Sequence, residues 1–339
     1  MKIILKKEID EFLKKDWKLL EKKNNSLIFQ KLSWNLSWLS ENEKYKNLLI
    51  IIVYNNDEPK IIFPFCIVKK FNFKILRWIG YDISDYLGPI VNNEKIIEKK
   101  DFQIIWAEIL ELIKNECDLL FLDKQINENF FPNNPIVNNL HCKKTKQTYR
   151  TDLFRWDETK KNKSKSLQKF RWAKKKLSDI GELNFIEKVD EINERRKLIK
   201  LAIEWKKEKN KKSIFLKSFS ENFYANIIDD NNLIVSGLKL KNEFIAISLG
   251  FINNQNYFYL VPAYKINSDL AKYSPGKILM IELLDYFKKK NFKYFDFCEG
   301  QESYKESWAN NTIDVTSYIK PTNFKGLILS ILLKIKNYK

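Results

Sequence analysis

Between Asn256 and Trp308 the chain reads as strand, turn, helix, strand and polar cluster, and this order restricts its fold more than any other stretch. The aromatic run Tyr257-Phe258-Tyr259-Leu260-Val261 has strand character and stops at Pro262. After a polar loop, Ser274-Pro275-Gly276 opens a helical pattern running from Lys277 to Lys290. Serine is a favoured N-cap because its hydroxyl accepts from free first-turn N–H groups. Proline suits the first helical position, and glycine lets a ligand approach the backbone. Such a helix start presents N–H groups and partial positive charge to a phosphate, and Lys272 and Lys277 add full charges beside it. An ordinary capped helix uses the same three residues, so the triplet decides nothing without its surroundings. The helix carries Ile278, Leu279, Met280, Ile281, Leu283, Leu284 and Phe287, a wide apolar face suited to a sheet. A second strand, Phe292 to Phe297, follows, and then the polar run Glu299 to Trp308.

Taken whole, this stretch resembles the acyltransferases of the GNAT superfamily. It is most similar to the cellulose-biosynthesis-associated (CelD/BcsL-like) branch, itself related to the Fem-type aminoacyltransferases. The residues that carry the resemblance are Ser274-Pro275-Gly276, the helix, Asp296-Phe297, Gly300, Glu302, Tyr304-Lys305 and Trp308. Weaker matches are Trp34 and Trp38, Phe63-Pro64-Phe65, Ile79-Gly80, Asp85-Tyr86 and the basic helix around Lys169 to Leu177. The resemblance implies tandem GNAT-like units of mixed α/β (α+β) sheets. It implies an N- or O-acyltransferase with acetyl-CoA or another acyl-CoA as donor and no metal. Lys272, Ser274, Pro275, Gly276 and Lys277 would hold the donor phosphates. Asp85, Tyr86, Lys305 and Arg171 would face the acceptor, an amine or hydroxyl of an amino-sugar, polysaccharide or glycolipid precursor. A nucleotide- or lipid-linked sugar is the kind of anionic acceptor a basic surface would hold.

Direct acyl transfer needs a held thioester, an acceptor, and a route for one proton in each direction. Asp296 ends a strand beside the helix start, where ligands of open α/β sheets sit, and is the first candidate for base or acceptor orienter. Glu302 is the second, and Tyr304 is the candidate acid for the leaving thiolate. Lys305 could pair with a phosphate or an acceptor carboxylate, although Glu302 and Lys305 at i,i+3 also form an ordinary surface pair. Trp308 reads as a core anchor. The only histidine, His141, lies in the strand-like segment Leu140-His141-Cys142 and reads as structural, so no Ser-His-Asp set is expected, and there is no Walker loop and no GxGxxG. The four cysteines show no CxxC spacing, so a zinc site is not expected and a reducing compartment is.

The rest of the chain reads as elements of the same kind. Residues 8–23 have helical spacing of Phe12, Leu13, Trp17 and Leu20, and Trp34 and Trp38 read as core. Leu48 to Tyr54 and Ile61 to Val68 form a hairpin across Asn55–Pro59, and Ile75 to Ile79 continues the sheet to Gly80. The polar loop Tyr81–Tyr86 either lines a cleft or is a solvated turn. Phe102 to Cys117 is an amphipathic helix, followed by a short strand ending in Asp123. Hairpin strands, helix and strand ending in Asp recur in the C-terminal half, without residue identity, so the halves form two similar α/β units. Only the second has a Ser-Pro-Gly start. Between them Asn162 to Ile180 is a basic helix, with Gly181 expected as its left-handed C-terminal cap. The expected division is 1–145, a connecting segment 146–182, and 183–339. The tail Phe324 to Lys336 is apolar and lysine-flanked; packing against the protein is expected ahead of peripheral contact with a membrane.

The chain has 339 residues and a formal net charge of +18, which favours anionic partners. Part of the excess reflects heavy use of Lys, Asn and Ile. Two readings therefore stand beside acyl-CoA transfer: a Fem-type transferase using aminoacyl-tRNA, and a basic nucleic-acid-binding protein. The second is disfavoured, because no nucleic-acid-binding motif is present and the lysines are spread along the chain. The N-terminus is too short in apolar residues for a signal peptide, and no run approaches the ~20 apolar residues of a membrane-spanning helix. A cytoplasmic protein is expected.

Overall fold

In the computed structural model the described residues are 1–23, 26–42, 47–92, 97–126, 134–209, 219–300 and 302–336. They fall into two compact units, one of Met1–Gln147 with Ile313–Lys339, the other of Thr148–Thr312. This division departs from the linear one expected from sequence. The basic helix and the second half of the strand before it belong to the second unit, and the last strand, from Ile313 on, and the tail return to the first.

The first unit begins with β1 (Lys2–Lys6), α1 (Glu11–Lys23) and α2 (Leu32–Glu41). The expected hairpin follows as β2 (Leu48–Asn55) and β3 (Glu58–Lys70), with Asn56 and Asp57 in the left-handed turn conformation that these short polar side chains tolerate. Then come β4 (Phe73–Trp78), the short β5 (Ile90–Val91), α3 (Lys99–Ile113), β6 (Leu119–Gln125) and α4 (Pro135–Asn139). The boundary between the units passes through β7 (Lys143–Asp152).

The second unit continues with α5 (Trp156–Asn162), α6 (Ser164–Ile180), β8 (Leu183–Ile186), α7 (Ile192–Lys209) and α8 (Phe219–Asn226). The strands β9 (Leu233–Leu240), β10 (Glu243–Asn253) and β11 (Asn256–Tyr264) form a meander. α9 (Pro275–Lys289), β12 (Tyr294–Asp296) and α10 (Ser303–Trp308) complete this unit. β13 (Asn311–Pro321) then leads to α11 (Phe324–Lys336) in the first unit.

The two units share one topology. In the first, β1, β2, β3 and β4 pair antiparallel in sequence, β4 pairs parallel with β6, and β6 pairs antiparallel with β13. In the second, β8, β9, β10 and β11 pair antiparallel, β11 pairs parallel with β12, and β12 pairs antiparallel with β7. A helix, α3 or α9, makes each parallel crossover, as such a connection requires. The repeat of pattern read from sequence is thus a repeat of fold.

Packing follows the apolar faces. Ile278, Leu279, Leu283, Leu284 and Phe287 of α9 are buried on the second sheet, with Phe287 stacked on Tyr257 at 4.0 Å between ring centroids. The predicted core residues Trp34 and Trp38 are fully buried. Their indole N–H groups donate to Ser84 Oγ at 2.9 Å and Asp82 Oδ1 at 2.7 Å, clamping the loop after β4. Gly181 is extended, with φ 172°, and not left-handed, so the expected cap motif is not formed.

Candidate active site

In the second unit β11 and β12 pair only over Asn256–Phe258 and Tyr294–Asp296. β11 then runs on to Tyr264 without β12 beside it, and a register shift at Leu249/Gly250 bends it on its other side. The N-terminus of α9 lies at this opening. Two cavities flank it and share Ser274, Lys277 and Tyr304 as a common wall. One, of about 550 Å³, is bounded by Lys169 and Trp172 of α6, by Lys272 and Tyr273, and by Ser303 and Ser307 of α10. The other, of about 400 Å³, is bounded by Lys206 and Lys209 of α7, by Tyr259, Pro262 and Tyr264 of β11, and by Gly276, Met280 and Glu302.

The helix start differs from the sequence expectation. Ser274 is left-handed (φ 53°, ψ 55°) and its side chain makes no cap hydrogen bond; its backbone carbonyl accepts from Lys277 at 2.9 Å and Ile278 at 3.2 Å. The residue lines both cavities. Pro275 occupies the first helical position, and the first turn holds no carboxylate. By contrast α3, the matching helix of the first unit, has Glu98 at its N-cap and Asp101 beside Lys99 and Lys100 in its first turn. Gly276 is needed for close packing: a Cβ there would sit 2.9 Å from the Tyr264 ring.

The polar loop after β12 supplies the remaining groups. Asp296 is buried, its Oδ1 accepting from the Cys298 N–H at 2.7 Å, and it lines neither cavity. Its carboxylate shapes the turn from which Glu302 and Tyr304 project. Lys305 is only 4 % exposed and lies 3.2 Å from Glu302, while its ammonium also donates to the Glu299 carbonyl. Gly300 has φ 136°, and a Cβ there would fall 2.1 Å from Glu302 Oε2, so this loop closes only with glycine. Burial acts to raise the Glu302 carboxyl, but Lys305, with help from Lys206, outweighs it and holds the group below its ordinary value. Burial pushes the Lys206 amine down to about 8, against the pull of Glu302. The Tyr304 hydroxyl is buried without a hydrogen-bond partner, and burial with the Glu302 charge drives its pKa well up.

Of the residues singled out by sequence, the structure brings together Lys272, Ser274, Gly276, Lys277, Glu302 and Tyr304 around the two cavities. Pro275 adjoins them in the chain, and Lys305 acts behind Glu302. Arg171 is exposed on α6 and lines neither cavity; its neighbours Lys169 and Trp172 do. Asp85 and Tyr86 belong to the first unit. There Tyr86 is fully buried, edge-on to Phe29 at 5.9 Å, in a core position. Sequence reading missed Lys206, Lys209, Tyr259, Tyr264, Trp172 and Tyr273. The first four come together only when α7 packs against β11.

Residues 164–306 match the family described as acetyltransferase (GNAT) domain. Solved structures show the same fold over nearly the whole chain. FemX superposes with a TM-score of 0.60 at 13% identity, covering 94% of this chain and 98% of its own. L-PGS from Bacillus licheniformis gives 0.58 at 13%, covering 95% of each chain. A domain from Agrobacterium fabrum, described as the C-terminal part of a lysylphosphatidylglycerol synthetase, gives 0.57 at 8%, covering 94% of each. A comparison with curated protein sequences finds no match. The chain therefore has the GNAT acyltransferase fold, with its GNAT domain in the second unit, and this supports a transferase. The CelD/BcsL-like branch is not reached by these matches. No helix among the described residues is long and apolar enough to cross a membrane.

Proposed function

We propose that the second unit transfers an acyl group from acyl-CoA to an amine or hydroxyl of an amino-sugar, polysaccharide or glycolipid precursor. The donor phosphates lie at the start of α9, among Lys169, Lys272 and Lys277, with the Trp172–Tyr273 pair (ring centroids 6.0 Å apart) available to stack on its base. The thioester end runs into the smaller cavity along β11. Neutral Lys206 takes the proton of the attacking acceptor, the acceptor–carbon bond forms, and the carbon–sulfur bond breaks. Tyr304 donates a hydrogen bond to the departing thiolate and relays to it the proton that Lys206 took, so both end as they began, and Glu302 orients the acceptor.

The Tyr304 hydroxyl carries this reading. A buried donor without a partner costs stability, about 1–3 kcal/mol, and here its residue is part of the wall common to both cavities beside an uncapped helix start. The shared fold with FemX supports a second reading, a Fem-type transferase that takes its acyl group from aminoacyl-tRNA.

Thermal melting separates the two. Acetyl-CoA at a hundredfold excess over Kd should stabilise the protein by about 2.7 kcal/mol. Tyr304→Phe should keep that shift and lower release of CoA thiol in the presence of glucosamine by about 10²–10⁴-fold. A shift with aminoacyl-tRNA alone would favour the second reading, and a shift with neither would remove both.

A further inference from the structure

The tail helix α11 is amphipathic the wrong way round for packing on its own unit. Phe324, Leu327, Ile328, Ile331 and Leu332 recur at helical spacing on one face, and they are 74%, 45%, 41%, 49% and 53% exposed. The face turned inward carries the small residues Gly326 and Ser330, both buried. A large apolar stripe on the open side of a helix marks an interaction surface.

The helix cannot rotate to hide that stripe. The Thr322 N–H donates to the Asp118 carbonyl at 2.9 Å, and Asn323 Nδ2 donates to Asp118 Oδ1 at 2.8 Å. Asn323 Oδ1 then accepts from the Gly326 N–H at 3.0 Å. A Cβ at Gly326 would lie 1.7 Å from the Asp118 carbonyl oxygen, so any turn about the axis that brought a side chain there would collide with backbone.

Charge identifies the occupant. From Val315 to Lys339 the sequence contains five lysines (Lys320, Lys325, Lys334, Lys336 and Lys339) and no acidic residue, within a chain of net charge +18. Two α11 stripes meeting face to face would bring the lysines of each copy against the other's, which opposes a second copy as the occupant. Thirteen residues are too few to span a bilayer but enough to lie in its interface. We propose that α11 is an interfacial anchor that seats the protein on an anionic lipid surface, its apolar stripe among the acyl chains and its lysines among the headgroups.

The test uses the full chain and co-sedimentation with vesicles of phosphatidylglycerol and phosphatidylcholine, against vesicles of phosphatidylcholine alone. The protein should bind the anionic vesicles and be released from the neutral ones. The triple variant Leu327→Ser/Ile331→Ser/Leu332→Ser should weaken binding by more than about tenfold, because the removed side chains no longer enter the interface. These positions are exposed, so its melting temperature should match the parent protein's, which separates lost binding from lost folding. Absence of binding to anionic vesicles would overturn the proposal. So would equal binding by the triple variant, which would reduce the effect to unspecific attraction by net charge. Self-association of the parent that the triple variant abolishes, without vesicle binding, would overturn it in favour of a second copy.

Discussion

Lys206 lines one of the two cavities at the start of α9 and Asp296 lines neither, the reverse of their prominence in the sequence. Asp296 follows a strand and precedes the polar run, so local spacing makes it prominent, yet its carboxylate is engaged by the Cys298 N–H. Lys206 is one of many lysines on a basic helix, and nothing within its own segment distinguishes it. Its pKa near 8 arises from burial beside β11, a long-range consequence of folding that no local pattern encodes. A lysine so placed is partly neutral near physiological pH and suits a general base. In the proposed mechanism the neutral form acts, so kcat/KM for CoA release should rise with pH and level off above about 8. Lys206→Met should remove that rise and lower the plateau by about 10²–10⁴-fold. An unchanged pH profile in a folded Lys206→Met protein would take Lys206 out of the mechanism.

At the scale of elements, the strands and the α9 helix are legible because apolar periodicity reports burial directly. Tyr257 to Val261 and Ile278 to Phe287 bury the residues their spacing predicts. The hairpin turn at Asn56 and Asp57 is legible for the same local reason. What the sequence does not disclose is the backbone state of Ser274, because the left-handed conformation there is set by the preceding turn and the packing of Gly276 on Tyr264. The serine is half-buried at the mouth of both cavities and makes no side-chain cap. The opening of α9 can be tested by charge. Gly276→Asp places a carboxylate against Tyr264 at the first turn, where the donor phosphates would sit. Coulomb repulsion at that range is worth about 1–4 kcal/mol between the limits of water and a protein surface, so acetyl-CoA affinity should fall by about 5- to 10³-fold. Circular dichroism should show the helix retained, and undiminished acetyl-CoA affinity would place the phosphates elsewhere.

At the scale of the whole chain, the repeat of topology was legible from the order of strands and helices, but the true unit boundaries were not. Reading along the chain assigns each strand to the half in which it occurs. Pairing does not obey that rule: β7 follows β6 in sequence yet completes the second unit beside β12, and β13 follows β12 yet completes the first unit beside β6. The core of the first unit therefore depends on residues near the C-terminal end. Ile313 and Val315 are fully buried, and Tyr318 accepts the Trp106 indole N–H at 3.2 Å with the rings edge-on. Burying each such side chain contributes roughly 1.5–3 kcal/mol. Together they approach the net stability of a domain, typically about 5–15 kcal/mol. Their loss also leaves the β6 edge and the Asp118 carbonyl without their partners. A chain ending at Thr312 should consequently lose amide-exchange protection in β2, β3 and β6, while β9, β10 and β11 keep theirs, because every strand of the second unit remains. Hydrogen exchange followed by mass spectrometry resolves the two sets. Full protection of β6 in the shortened chain, or equal loss in both units, would show that β13 is not what holds the first unit together.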